Sequence, residues 1–182
     1  LLHLIQYNVF RGLYLNKILL GSATVLWKPG IEPEAFDKNF PDFSVVLPFA
    51  AGLPDTLDPS ESQMKLIHST WINLIPFVHM RENLIQWETL FYHLEFPPGS
   101  SVAKPGRAKI SALSRGECED DITADRTGLI LWGEPYDVNS WEATPGVVRK
   151  WAWAMQGCDD LIVSTNRWRR LRDEESLLFS VL

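Results

Sequence analysis

Apolar side chains recur at Leu2, Ile5, Val9 and Leu13, with Leu4, Phe10, Leu15, Ile18 and Leu19 between them, and this spacing predicts a helix over 2–20. Gly21 supplies its stop. Apolar residues fall on nearly every side, so the helix is expected to be buried by several neighbours, which leaves Asn8, Arg11 and Asn16 in need of partners. From Trp27 to Ser60 the pattern changes. Pro29, Pro33, Pro41, Pro48, Pro54 and Pro59 forbid long regular elements, and 32–61 reads as a proline-rich loop. Met64–Ile67 reads as a short extended run. Pro76 then fits a helix start, with Met80, Leu84, Trp87 and Phe91 three or four residues apart, out to about Leu94 and the breakers Pro97, Pro98 and Gly99. Residues 100–125 are polar and charge-rich, which predicts an excursion with weak order.

The apolar run Leu129–Trp132, bounded by Gly128 and Gly133, predicts a short buried strand suited to pairing with Met64–Ile67. Thr144 and Pro145 form an N-cap and first-turn pair opening a helix through Val148, Trp151, Ala152 and Met155, which meets Gly157. Cys158–Arg172 continues helical with Leu161, Thr165, Trp168 and Leu171 on one face, and a short apolar helix is expected after the acidic run at Asp173. The fold predicted is a single mainly α domain over 1–182, with a minor two-stranded β element and long proline-rich loops.

Composition adds charge and compartment. The 182 residues carry a formal net charge of −6, and seven acids against one base between Glu32 and Glu61 account for all of it. That balance argues against a surface built to grip nucleic acid or an anionic membrane. The interrupted apolar stretches argue against a membrane span, and two widely spaced cysteines argue for a reducing compartment, nuclear or cytoplasmic. Eight tryptophans, five of them between Trp132 and Trp168, are the compositional oddity. The chain opens on Leu1, so a segment upstream is expected.

Two long blocks and one short one carry a resemblance. HSTWINLIPFVHMRENLI, from His68 to Ile85, and GLILWGEPYDVNSWEATPGVVRKWAWAMQGCDDLIVSTNRWRRLR, from Gly128, resemble the signatures of a fungal domain of unknown function, and so does the opening LIQYNVFRG. That domain commonly follows a basic leucine-zipper region in ascomycete regulatory proteins. Departures from its usual pattern stand at Thr70, Asn73, Val78 and His79, where the family often has proline, aspartate, proline and arginine. The resemblance implies a regulatory or protein-interaction domain of a transcription regulator, with a protein partner or small-molecule ligand. DNA contact and homodimer formation would then come through the upstream region. It implies no catalytic residue and no cofactor.

Read from the residues alone, four constellations compete with plain structural roles. Glu134, Asp137 and Glu142 place three carboxylates in nine residues, and with His68 brought near by strand pairing, Glu134, Asp137 and His68 would make an acid–base or metal group in a free-standing metabolic enzyme. The spacing is not diagnostic, and a turn with an aspartate cap explains it without metal or catalysis. Cys158 at a helix start would favour thiolate, yet every histidine is remote in sequence and a small buried packing residue explains it better. Arg149, Lys150, Arg167, Arg169, Arg170 and Arg172 interleave with tryptophans, as in single-strand binders, but nearby acids cancel much of that field. Finally, Trp132, Trp141, Trp151 and Trp168 with Asn166 and Arg169 would line a pocket for a small aromatic or polyketide-like ligand; a dense aromatic core is the competing explanation.

Overall fold

The computed structural model of the chain describes residues 2–27, 34–35, 42–95 and 128–177. The domain is mainly α, with two small antiparallel sheets. Helix α1 (Leu2–Ala23) runs two residues beyond the predicted stop, straight through Gly21. Its last turn is held by Thr24 Oγ1 donating to Leu20 O at 2.7 Å, and strand β1 (Thr24–Trp27) follows with no loop between. The two faces of α1 differ sharply. Val9, Leu13, Asn16 and Leu20 recur on the helical period and are buried, whereas Tyr7, Phe10, Tyr14 and Ile18, on the opposite side, are each more than half exposed. The helix is therefore covered on one side only, contrary to the expectation of burial all round.

Of the polar residues that needed partners, Asn16 is fully buried and its Nδ2 donates to Leu74 O at 3.0 Å and Pro135 O at 3.1 Å. This one amide ties α1 to two distant segments. Gly12 permits the close approach of the C-terminal half: a Cβ there would lie 2.3 Å from Leu131 Cδ2.

The larger sheet has the order β2-β1-β3-β4, where β2 is Glu34–Ala35, β3 is Phe43–Pro48 and β4 is His68–Ser69. β1 and β3 pair from Thr24↔Pro48 to Trp27↔Val45, and β3 meets β4 at Ser44↔His68. The segment 32–61 is thus not loop alone: it supplies β2 and β3, and Val45 and Val46 of β3 enter the core. The proline spacing still limits β3 to six residues, with Pro48 as its last.

The predicted strand pairing is corrected by the structure. Met64 lies in helix α2 (Glu61–Lys65), whose N-terminus is closed by a capping box between Ser60 and Gln63. Strand β5 (Leu129–Leu131) pairs instead with β6 (Trp141–Ala143), which returns after the connection 132–140 in the register Leu129↔Ala143 to Leu131↔Trp141. Local return costs less chain entropy than a pairing across sixty residues.

Helix α3 (Val78–Glu95) begins two residues after Pro76. Its Arg81 is buried and fully engaged, Nε donating to Gln63 Oε1 at 2.8 Å, Nη1 to Thr56 O and Ile75 O, and Nη2 to Asp58 O at 2.9 Å. Burial lowers its pKa to about 10, so it remains a cation at neutral pH. Thr144 Oγ1 caps helix α4 (Pro145–Trp151) by accepting from Val147 N, with Pro145 in the first turn as predicted. A 3₁₀ stretch (Ala152–Met155) and Gly157, at φ +75°, lead into helix α5 (Asp159–Arg170). The predicted excursion at 100–125 lies outside the described residues, as does all but the start of the predicted terminal helix.

Candidate functional site

The three clustered carboxylates do three different things. Glu134 is exposed on the turn. Asp137 accepts from Asn139 N at 2.9 Å, capping the 3₁₀ turn Val138–Ser140. Glu142 is buried in β6 and accepts from Trp132 Nε1 at 2.8 Å and from both terminal nitrogens of Arg172, at 2.9 and 2.6 Å. That pairing raises the Arg172 pKa.

His68 is in the other sheet, its Nδ1 2.7 Å from Leu66 O and its Nε2 2.8 Å from Asn73 Oδ1. The strand pairing that was to carry it towards Glu134 and Asp137 is absent, because β5 takes β6 as its neighbour. Among the described residues no three metal-ligating side chains converge.

Cys158 does acquire a histidine neighbourhood that its sequence position hid. Gly157 packs against the His79 ring, to which a Cβ would come within 3.4 Å, and His79, Cys158 and Asp160 border one cavity of about 250 Å³. The thiol is nevertheless held in its protonated form near neutral pH. Burial raises its pKa to about 12, and it sits as the N-cap of α5 without a capping bond.

The predicted pocket residues separate into three places. Trp132 stacks on Trp168 with ring centroids 5.3 Å apart, and Trp168 Nε1 donates to Asn139 O at 2.8 Å. Arg172 and Arg167 lie over these rings at 5.4 and 5.3 Å. Asn166 exchanges two hydrogen bonds with the backbone of Leu177, and Arg169 binds Glu174 at 3.0 Å and Glu175 O at 2.6 Å, so both fasten residues 174–177 onto α5. Trp141 is a core residue, fully buried, edge-on to Phe77 and donating to Pro135 O at 3.0 Å. Trp151 belongs to neither group.

Trp151 joins three tryptophans that the sequence reading left out of the pocket. Trp71 from the 3₁₀ turn Thr70–Leu74, Trp87 from α3, Trp151 from the end of α4 and Trp153 from the following 3₁₀ stretch wall a groove of about 200 Å³. Leu84 and Glu88 complete its α3 side, one turn of helix placing 84, 87 and 88 together. The centroids of Trp87 and Trp153 are 5.5 Å apart, and those of Trp153 and Trp151 5.9 Å, with the planes tilted by 34° and 33°.

Two polar groups border the indoles. Glu88 is tied down, accepting from Ser69 N at 2.9 Å and Ser69 Oγ at 2.5 Å. Lys150, exposed in the last turn of α4, makes no ion pair among the described residues. Trp151 Nε1 is buried and has no acceptor. Of these residues the periodic reading of α3 had flagged Leu84 and Trp87 as an apolar face; nothing local joined them to the WAW sequence at 151–153.

No helix among the described residues is long and apolar enough to cross a membrane. No curated protein and no solved structure matches the chain. Residues 44–163, from β3 into α5, match the family model described as Domain of unknown function (DUF3425), and the match contains all four groove tryptophans while leaving Trp168 and Arg172 outside. With two thirds of its length covered by that model, the chain belongs to the DUF3425 family.

Proposed function

We propose that the chain is a non-catalytic regulatory domain of a fungal leucine-zipper-type transcription regulator, and that it works by binding a small ligand in the tryptophan groove. The regulatory context rests on the resemblance carried by the His68–Ile85 block and the block beginning at Gly128. The observation that carries the binding reading is a contrast in commitment. His68, Glu142 and Cys158 are spent on internal bonds or burial, whereas the groove is walled by four tryptophans with Lys150, which makes no ion pair among the described residues, beside them. Apolar concavities with a few polar groups are the usual form of small-molecule sites.

A thermal-shift screen of the full chain against a metabolite panel tests this. Ligands should raise the melting temperature of the wild type and not of Trp87→Ala. Turnover of any substrate that Glu134→Ala abolishes without unfolding the protein would favour the enzyme reading instead.

The exposed stripe Tyr7–Phe10–Tyr14–Ile18 on α1 favours a second role, contact with a protein partner, since contiguous apolar patches on a folded surface mark such sites. Phe10→Ser should weaken that contact and leave the thermal shift by groove ligands unchanged.

A further inference from the structure

We infer that His68 is held as the doubly protonated imidazolium, a buried cation whose second proton couples pH to one wall of the tryptophan groove. The side chain is fully buried, and each ring nitrogen meets an oxygen, Nδ1 at 2.7 Å from Leu66 O and Nε2 at 2.8 Å from Asn73 Oδ1. The first oxygen is a backbone carbonyl and can only accept. The second is fixed as an acceptor by a chain of donors. Ser60 N and Arg81 Nε, which can only donate, both reach Gln63 Oε1, at 3.1 and 2.8 Å. That orients the Gln63 amide, so its Nε2 donates to Asn73 Oδ1 at 2.6 Å, while Asn73 Nδ2 donates to Thr70 O at 2.8 Å. Turning either amide over would set donor against donor. A neutral imidazole has one N–H and leaves a lone pair against one of the two oxygens, whereas the cation satisfies both. Burial alone disfavours the charge, but both contacts have the length of charge-assisted hydrogen bonds, which favour it.

The proton reaches the groove through two neighbours. Asn73 shares its 3₁₀ turn with Trp71, and Ser69, next in the chain, holds both oxygens of Glu88; Trp71 and Glu88 both line the groove. The charged groups on the elements around the ring are Asp42 ahead of β3, Glu61 and Lys65 of α2, and Arg81, Glu82 and Glu88 of α3, and the ring's two hydrogen bonds go to none of them. Several are engaged elsewhere: Glu61 pairs with Lys65, Glu82 accepts from Ser62 Oγ at 2.6 Å, and Arg81 stands one amide away at Gln63. Removal of one ring proton sets a lone pair against Leu66 O or Asn73 Oδ1, and this loosens the end of β4 from which the turn carrying Trp71 departs.

Nitrogen-15 NMR of the full chain labelled at histidine and tryptophan tests the inference without any ligand, so its outcome is separate from that of the groove screen. The His68 ring signals are assigned by their loss in His68→Gln, and the Trp71 indole N–H by its loss in Trp71→Phe. At pH 7 both His68 ring nitrogens should carry a proton, and as the pH is raised the loss of one should coincide with a shift of the Trp71 resonance. Asn73→Asp, which places a carboxylate against the ring, should move that shared transition up by at least about one pH unit. In His68→Gln, which has no ring proton to lose, the Trp71 resonance should show no such transition. A single ring N–H at pH 7 overturns the imidazolium. Both protons retained until the chain unfolds in alkali, a Trp71 resonance unmoved by the loss of one, or a transition left in place by Asn73→Asp overturns the coupling.

Discussion

Trp132 and Trp87 are equally exposed, each at 44%, yet they belong to regions that work in opposite ways. The Trp132–Trp168 stack is closed chemistry: each indole N–H has its acceptor, each ring lies under a guanidinium, and Arg172 ties the assembly to the buried Glu142. Its work is to fasten residues after α5 onto the β5–β6 hairpin. In the groove, by contrast, among the described residues Trp151 keeps an N–H without an acceptor and Lys150 makes no ion pair. Exposure therefore does not by itself separate the two regions.

The largest expected effect comes from cutting the closed region at its centre. Glu142→Ala leaves the Trp132 N–H without its acceptor and takes from Arg172 its buried partner, while Glu174 and solvent still serve the guanidinium; losing the hydrogen bonds to a buried carboxylate should cost about 2–3 kcal/mol. Urea denaturation should show that loss, with Glu142→Gln costing less because an acceptor for Trp132 remains. A loss under about 1 kcal/mol for Glu142→Ala would mean that the stack is ornamental, and the contrast with the groove would fail.

Cys158 tests closure elsewhere in the same half of the molecule. Its folded pKa is raised to about 12 from an ordinary value of 9.0, so between those pH values the folded chain holds a proton that the unfolded chain has lost. This contribution to stability is fully present below pH 9 and disappears as the pH rises through 12. At pH 8, in a Cys118→Ser background, a disulfide-exchange reagent should label Cys158 at least about a hundredfold more slowly in the folded chain than in urea, equivalent to about 2.7 kcal/mol of opening. Labelling at the unfolded rate would show that the cavity beside His79 admits solvent freely and that the thiol is available for chemistry.

A direct comparison of the two regions follows from truncating one ring in each. Trp168→Ala removes a stacked partner and the bond to Asn139 O and should cost about 2 kcal/mol, the sum of a typical aromatic pair and one hydrogen bond. Trp87→Ala removes the contact with Trp153, worth about 1 kcal/mol, while abolishing ligand-induced stabilisation. Equal costs measured by chemical denaturation would place both clusters in the structural class.

The parts of this arrangement legible in the sequence are those whose cause is local. Thr144–Pro145 announces α4 because a cap and a fixed φ act within one turn, and Met80, Leu84 and Trp87 announce α3 through a period of 3.6. The β pairing was misread because Met64–Ile67 has strand-like composition while the Ser60–Gln63 capping box, a polar signal just upstream, starts a helix there. The same limit applies to the site. Nearness in sequence grouped Trp151 with Trp132, Trp141 and Trp168, but α4 ends facing α3, and Trp71 and Trp87, more than sixty residues earlier, become its neighbours. The direction in which a helix presents its last turn is set by packing across the whole domain, which no local pattern encodes.

The smallest expected effect is the sharpest test of the contrast. Trp151→Phe deletes the orphaned N–H, whose burial without an acceptor costs about 1–3 kcal/mol, and at the same time forfeits part of the indole's packing. The two changes oppose each other, so the net change should stay within about 0.5 kcal/mol of zero. Trp141→Phe is the control: there the N–H donates to Pro135 O in the core, and its loss leaves a void and an unpaired carbonyl, together about 2–3 kcal/mol of destabilisation. If Trp151→Phe cost as much as Trp141→Phe in the same denaturation assay, the Trp151 N–H would have a partner in solution, and the groove would be as closed as the stack.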